Sequence, residues 1–165
     1  MKWSFIILVT LCSTQIQAQE VKSKSYKMML NTLLSHSVPE LSVSEVDSSK
    51  QVVWLDARER NEFEVSKIED AQWVGYDDFS LERVNDIPKD QEIVVYCSVG
   101  YRSEKVSEQL IDAGFTNVQN LYGGIFEWKN QGREVVDSIN SETEKVHAFN
   151  KVWGVWLKEG KKVYK

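Results

Sequence analysis

The chain has 165 residues, 42% of them hydrophobic and 27% charged, which is enough for one domain with a buried core. Its 20 Lys and Arg against 25 Asp and Glu give a net charge of −5 at pH 7. A protein that binds nucleic acid through the phosphates needs a basic surface, so this balance argues against a dedicated nucleic-acid-binding protein. With 8 Gly and 2 Pro, collagen-like and low-complexity chains are excluded.

The first 18 residues have the pattern of a secretory signal peptide. Lys2 gives a positive start, residues 5–12 form an apolar run too short to span a bilayer, and a polar tail ends at Ala18. We therefore expect an exported protein, periplasmic or secreted, with cleavage near Ala18 and no stable membrane insertion. Cleavage would remove Cys12 and leave Cys97 alone, so neither an intramolecular disulfide nor a cysteine metal cluster is expected.

After the signal, residues 19–46 are predicted to form a helical lead-in to the domain. Apolar residues recur at helical spacing from Tyr26 to Leu34, and residues 41–43 are typical of a short strand. The central part alternates β-branched apolar runs with amphipathic segments, which indicates a parallel α/β sheet. Strands are predicted at 52–55, 72–74, 93–96 and 118–121, and helices at 61–65, 79–84, 103–113 and between Gly123-Gly124 and Gly132.

The C-terminal part, residues 138–165, is predicted to be a polar linker followed by an aromatic and basic extension. The linker prediction covers residues 138–145, and the tail contains Trp153, Trp156 and Tyr164. Two interpretations of the tail are open: it packs on the domain, or it contacts a membrane or a partner. Packing is favoured, because an exposed aromatic cluster is costly unless it is used.

The segment from Ile93 to Ala113 carries the strongest chemical signal. A buried strand over 93–96 ends at Cys97, and a helix begins near Ser103 after a short loop. A loop before a helix N-terminus offers unpaired N–H groups and the positive end of a dipole, which bind anions and stabilise a thiolate. We therefore predict that Cys97 is a nucleophile, although a lone cysteine is more often a buried structural residue.

The composition and length of the loop sharpen this prediction. Gly100 lets the backbone curl with its N–H groups inward, and Arg102 adds a positive charge. Cysteine phosphatases place five residues between the cysteine and the arginine, whereas four residues separate Cys97 from Arg102. The spacing therefore favours sulfur chemistry over a phosphatase or an arsenate reductase.

Four stretches together resemble the single-domain rhodaneses, which are thiosulfate:cyanide sulfurtransferase-like. They are VVWLDARERNEFEVSKI at 52–68, IVVYCSVGYRS at 93–103, AGF at 113–115 and NLYGGIFEWKNQG at 120–132. The resemblance covers residues 47–137 and implies an α/β, rhodanese-like fold. Its five-stranded parallel sheet would be flanked by helices, with a short N-terminal helix before it and a C-terminal extension after it.

The resemblance also implies roles for individual residues. Cys97 would carry a persulfide, and backbone N–H groups of the loop would bind the outer sulfur and the substrate anion. In the D-x-R-E element, Asp56 would support the catalytic loop by accepting hydrogen bonds, and Arg58 would lie near the site or in a structural ion pair. The favoured interpretation of Arg58 is a structural charge pair with Glu59. The expected substrate-binding residues are Ser98, Val99, Gly100, Tyr101, Arg102 and Ser103.

The family resemblance further implies a monomer without a metal or organic cofactor. Its partners would be a small sulfur donor, thiosulfate or a persulfide, and a thiol or cyanide acceptor. The alternative is a non-catalytic sulfur carrier or protein-interaction module, against which the retained Cys97 argues. Two features depart from the family: Ser66-Lys67 replaces Gly-His, and Arg102 is the only cation of loop 98–103, which weakens thiosulfate as the physiological donor. His36 and His147 lie outside the motifs and are expected on the surface.

Overall fold

A five-stranded parallel β-sheet forms the centre of the structure, a computed structural model that describes residues 21, 23–48 and 50–165. The predicted signal peptide lies outside the described residues. The strands are β1 (Glu40–Leu41), β2 (Val53–Asp56), β3 (Gln72–Trp73), β4 (Ile93–Tyr96) and β5 (Val118–Leu121). Adjacent strands of the sheet follow the order β1-β5-β4-β2-β3, and every pair is parallel.

The central strand β4 is buried on both faces, and each of its four residues is fully inaccessible. A continuous run of apolar residues is what a parallel strand covered by helices on both sides requires. β4 pairs with β2 from Val53↔Ile93 to Asp56↔Tyr96, so both strands end at the same edge of the sheet. Ligand sites in open α/β sheets form at this carboxyl edge.

Helices cover both faces of the sheet and confirm the predicted fold. The helices are α1 (Lys24–Leu33), α2 (Arg60–Val65), α3 (Tyr101–Asp112) and α4 (Gly124–Asn130). One core packs α1 and α4 against the sheet through residues such as Leu30 and Phe126, and the other packs α3 through Val106 and Leu110. Short 3₁₀ helices span Val43–Glu45, Leu81–Val84 and Trp153–Trp156.

The polar stretch at 138–145 is not the predicted linker. Strands β6 (Val135–Val136) and β7 (Glu142–Thr143) pair as an antiparallel hairpin, and the stretch contains its turn and β7. Asp137 Oδ1 accepts hydrogen bonds from the backbone N–H groups of Ile139 and Ser141, which fixes the turn. The turn of the hairpin requires polar residues for its hydrogen bonds. A linker has the same polar composition, so composition does not distinguish the two.

The C-terminal tail packs on the domain, as the favoured interpretation expects. Strands β8 (Lys145–His147) and β9 (Lys161–Val163) pair in parallel, and Val146 and Leu157 are fully buried in the main core. The ring of Trp156 stacks on Tyr26 with 5.3 Å between centroids. Within the described part of the chain, no helix has both the length and the apolarity that a bilayer crossing requires.

The prediction that His147 lies on the surface is wrong, since only 4% of it is exposed. It ends β8, which contacts α2, so its ring is enclosed between the tail and the domain. His36, in contrast, is exposed at 43% of its side chain and lies beside Glu40.

Candidate active site

Cys97 directly follows β4 at the carboxyl edge of the sheet, as predicted. Its thiol is almost enclosed, with 1% of the residue exposed, and its Sγ accepts a hydrogen bond from the backbone N–H of Gly100 at 3.1 Å. The residue lines a pocket of about 240 Å³. The turn thus presents a backbone donor to the sulfur, an arrangement that stabilises negative charge there.

A buried polar pair supports this turn from behind. Gly100 is the residue before α3 and has a φ of +117°, in the region that favours glycine. Its carbonyl oxygen accepts a hydrogen bond from Asn120 Nδ2 at 3.0 Å, and Ser103 Oγ donates to Asn120 Oδ1 at 2.7 Å. The Ser103 side chain is therefore directed at β5 and not at the pocket. Asn120 begins the family-like stretch at 120–132, but it was not predicted as a site residue, because its contact with Gly100 joins residues 20 positions apart.

The start of α4 holds the loop from a second side. The backbone N–H of Ile125 donates to the carbonyl oxygen of Cys97 at 2.9 Å, and that of Phe126 donates to Ser98 at 3.1 Å. Gly124, with φ +58°, lies so close that a Cβ there would be 2.4 Å from the Cys97 oxygen. Only a glycine allows the two backbones to approach this closely.

Arg102 was predicted as the cation of the loop, and the structure pairs it with Glu62 of α2. Its Nη1 donates to Glu62 Oε2 at 2.7 Å and its Nη2 to Oε1 at 3.0 Å. The same carboxylate accepts hydrogen bonds from Ser98 Oγ and from the Glu59 backbone N–H, each at 3.0 Å. Arg102 therefore brings a neutralised ion pair to the site, and the Ser98 hydroxyl takes part in that network.

Burial and charge act in opposite directions on this pair. Burial favours the neutral form of Glu62, but the hydrogen bonds and charge of Arg102, with the charge of Arg58, hold the pKa of that carboxyl below its usual range. Burial likewise opposes the charged form of Arg102, yet its hydrogen bonds to Glu62 raise the pKa of the guanidinium. Both groups are ionised at neutral pH. Sequence reasoning missed Glu62, which lies 40 residues from Arg102.

Asp56 does not support the catalytic loop in the predicted way. Its carboxylate oxygens accept hydrogen bonds from the backbone N–H and the side chain of Arg58, the shortest at 2.6 Å. Arg58 also donates to the carbonyl oxygen of Ser66 at 2.6 Å. Because both side chains are completely buried, each needs the other as counter-charge. Arg58 is thus in a structural ion pair, with Asp56 and not with Glu59.

The mouth of the pocket is formed by side chains from three separate parts of the chain. Leu33 comes from the end of α1, Val99 and Tyr101 come from the loop and the start of α3, and Phe149 and Trp153 come from the C-terminal extension. Phe149 has a φ of +60°, and its ring lies 5.3 Å from the Arg102 guanidinium carbon. The tail therefore completes the site, a role that its aromatic composition alone did not reveal.

The backbone N–H of Phe149 donates to His147 Nδ1 at 3.2 Å, which positions the aromatic residue. Burial lowers the pKa of His147, and the charge of Glu62 offsets this only in part. The histidine is therefore neutral at pH 7, as an acceptor nitrogen requires. Among residues 21, 23–48 and 50–165, no three His, Cys, Asp or Glu side chains are grouped as a metal site.

Residues 42–131 match the family model of the Rhodanese-like domain, which is more than half of the chain. The tRNA uridine(34) hydroxylase of Photorhabdus laumondii is 35% identical over 98 residues, and that of Pectobacterium atrosepticum is 33% identical over 97. These matches cover 56% and 55% of this chain, but 28% and 27% of the two relatives. The chain thus spans little more than a quarter of the length of these proteins.

Solved structures share the architecture. A rhodanese-related protein from Thermoplasma volcanium superimposes with a TM-score of 0.53 at 26% identity, covering 59% of this chain and 97% of that one. A thiosulfate sulfurtransferase from Pseudomonas aeruginosa gives 0.56 at 23% identity, over 68% of this chain and 23% of that one, a likeness of fold. With its five parallel strands and the match over residues 42–131, the chain belongs to the rhodanese-like domain family.

Proposed function

We propose that this chain is an exported sulfurtransferase that carries sulfane sulfur as a persulfide on Cys97. The observation that supports this most is the position of Cys97, at the end of the central strand, facing a pocket and accepting a hydrogen bond from Gly100 N–H. A thiolate needs donors around it, and the outer sulfur of a persulfide needs room beyond it. The turn supplies the hydrogen-bond donor for the thiolate, and the pocket supplies space for the outer sulfur.

Sulfur transfer at this site needs only the thiolate and the two substrates. The Cys97 thiolate attacks the sulfane sulfur of a donor such as thiosulfate, the sulfur–sulfur bond of the donor breaks, and sulfite leaves with the electron pair. A thiol or cyanide then attacks the outer sulfur of the persulfide and regenerates the thiolate. Total charge is conserved in each step, and neither step requires an external oxidant or reductant.

A small sulfur compound fits the chain better than the tRNA of the hydroxylase relatives. Those proteins are more than three times longer than the matched region, and this chain has a net charge of −5. The pocket above Cys97 is lined mainly by apolar side chains, whereas a polyanion is bound through exposed Lys and Arg. We therefore propose a small donor and a thiol or cyanide acceptor.

Thiosulfate or another sulfane donor is expected to add one sulfur atom to the reduced protein, and cyanide is expected to remove it as thiocyanate. Intact mass spectrometry before and after each addition measures both steps. Cys97→Ser should abolish them, because a serine oxygen cannot form the persulfide. Uptake without turnover would indicate the carrier alternative, and thiocyanate production by Cys97→Ser at the wild-type rate would exclude the proposal.

The proposed export of the protein can be tested separately from sulfur transfer. Expressed with its own N-terminus in a bacterium with a secretory pathway, the protein should appear outside the cytoplasm with a new N-terminus close to Gln19. A variant with Leu8→Arg interrupts the apolar run and should stay in the cytoplasm at full length, since the signal must be continuous to be recognised. N-terminal sequencing of the fractionated protein decides this, and a cytoplasmic product that retains Met1 argues against export.

A further inference from the structure

We propose that the pocket above Cys97 selects an organic, monoanionic sulfur donor with an apolar body, a thiosulfonate or a persulfide, over inorganic thiosulfate. This inference rests on the proposed function, for which it names the donor class. It depends on the walls of the pocket, on the charge that faces it, and on the way the C-terminal extension is fixed over the thiol.

The walls are mainly apolar and leave space for a ring. Leu33, Val99, Tyr101, Phe149 and Trp153 surround the opening, and the pocket holds about 240 Å³. An apolar cavity of about 150 Å³ is enough for benzene. A phenyl or a short alkyl group therefore fits beside Cys97 and would displace water from aromatic surface, which is favourable.

The charges at the pocket do not favour a dianion. Arg102 is the cation among the pocket-lining residues, and both of its terminal nitrogens donate to Glu62. The carboxylate of Glu59 lies 3.8 Å from Arg102 Nη1 and adds a further negative charge. Thiosulfate would bring two negative charges to this neutralised pair. A thiosulfonate or an organic persulfide brings one, located at the sulfur that meets the loop.

Three of the five apolar wall residues lie outside the region shared with the family. The family match covers residues 42–131, whereas Leu33 precedes it and Phe149 and Trp153 follow it. The extension is fixed in place, because Val146 and Ala148 on either side of His147 are fully buried. Phe149 adopts a left-handed backbone, φ +60°, which is uncommon and costly for an aromatic residue. Such strain persists where a side chain must occupy one position.

The reaction with this donor class is balanced. The Cys97 thiolate attacks the terminal sulfur of R–SO₂–S⁻, the bond between that sulfur and the sulfonyl sulfur breaks, and the sulfinate R–SO₂⁻ leaves with the electron pair. One persulfide anion and one sulfinate anion replace one thiolate and one thiosulfonate anion. With an organic persulfide R–S–S⁻, the leaving group is the thiolate R–S⁻.

The test compares three donors that deliver the same sulfur atom. Thiosulfate, methanethiosulfonate and benzenethiosulfonate are offered to the full chain with cyanide as acceptor, and kcat/KM is taken from thiocyanate release. Chemical differences between the donors are removed by dividing each value by the rate of the same donor with a free small thiol. Burial of one ring predicts that benzenethiosulfonate exceeds methanethiosulfonate by roughly tenfold or more after this correction.

Variants of the wall then show whether the pocket causes the preference. Phe149→Ala and Trp153→Ala should reduce the ratio of the two thiosulfonates toward one, mainly by raising KM for the aromatic donor. The conservative Trp153→Phe should retain most of the ratio. Val155→Ala is the matched control, since Val155 belongs to the same 3₁₀ helix but is 48% exposed and is not part of the wall. Thermal unfolding of each variant verifies that it is folded.

Each outcome decides one of the two proposals. A corrected ratio well above one that falls in Phe149→Ala, with both thiosulfonates exceeding thiosulfate after the same correction, supports the inference. A ratio near one, a high ratio unchanged in both wall variants, or thiosulfate equal to or better than both thiosulfonates overturns it while sulfur transfer stands. If none of the donors forms a persulfide on Cys97, the proposed function fails and the donor class fails with it. If Trp153→Ala does not fold, the half-exposed Phe149 still provides the measurement.

Discussion

Gly124→Ala is expected to destabilise the fold by about 3 kcal/mol or more and to disrupt the loop that carries Cys97. The new Cβ would lie 2.4 Å from the Cys97 oxygen and 2.7 Å from the carbonyl carbon of Ser98, contacts with backbone that cannot rotate away. The residue would also be held at φ +58°, where alanine is strained. Relief requires α4 to move from the loop, which breaks the hydrogen bonds of Ile125 and Phe126.

Chemical unfolding measures the loss of stability, and the rate of alkylation of Cys97 reports the state of the loop. Gly132→Ala is the matched control: Gly132 also has a positive φ, +79°, but no atom lies within 4 Å of its Cβ position. It carries the backbone strain without the collision, so it should lose only about 1 kcal/mol. Equal losses in the two variants would show that the close approach of α4 does not hold the loop.

Glu62→Gln is expected to cost about 3 kcal/mol, because it removes the buried counter-charge of the mostly buried Arg102 and leaves only the more distant, exposed Glu59. The glutamine keeps the size of the side chain, so the effect reports the charge and the hydrogen bonds rather than a cavity. Glu62 is 1% exposed and accepts bonds from Arg102, Ser98 and Glu59 N–H. Its loss should also slow persulfide formation on Cys97, since Ser98 is the next residue in the chain.

The pH dependence follows from the direction of the pKa shift. The pKa of Glu62 is lower in the folded protein than in an ordinary glutamate, about 4.3, so the unfolded chain binds the proton more tightly. Its contribution to stability is complete above that ordinary value and is lost as the pH falls through the lowered pKa. The wild type should therefore lose stability in this acidic range more steeply than Glu62→Gln. His147, whose pKa is also lowered, makes a contribution that is complete above about 6.5 and is lost as the pH falls below that value.

Glu59→Gln is the matched control for Glu62→Gln. The Glu59 carboxylate lies 3.8 Å from the same Arg102, but 41% of its side chain is exposed. An exposed ion pair contributes about 1 kcal/mol or less, so this variant should be close to the wild type in urea unfolding. If Glu59→Gln is as destabilised as Glu62→Gln, or if Glu62→Gln unfolds like the wild type, the buried pair does not stabilise the site.

The sheet and the loop could be predicted because their signals are local. The apolar runs at 93–96 and 118–121 coincide with β4 and β5, and the predicted helix at 103–113 differs from α3 by two residues at its start and one at its end. A strand buried on both faces must be continuously apolar, and a glycine is favoured where the chain turns with positive φ. Cys97 and Gly100 therefore lie where the sequence predicts them.

The surroundings of Glu62 and of the polar stretch at 138–145 could be known only from the tertiary structure. Glu62 is a charged residue of a short helix, so its residue type indicates a solvent-facing side chain. Only the packing of α2 against the loop shows that it is buried. The polar stretch at 138–145 has the composition of a linker, although Asp137 folds it into a hairpin turn. In both cases the same residue types serve either environment, and only the packing distinguishes the two.

The sequence by itself determined the fold class, the thiol at the strand end and the glycine turn beside it. The tertiary structure alone decided that Arg102 is neutralised, that His147 is buried and that Phe149 and Trp153 form a wall of the pocket. Periodicity and spacing describe neighbours within a turn of helix or along a strand. Periodicity and spacing do not describe which distant segments meet. Those contacts depend on how the C-terminal tail packs against α2 and the edge of the sheet, and burial of the whole core determines that packing.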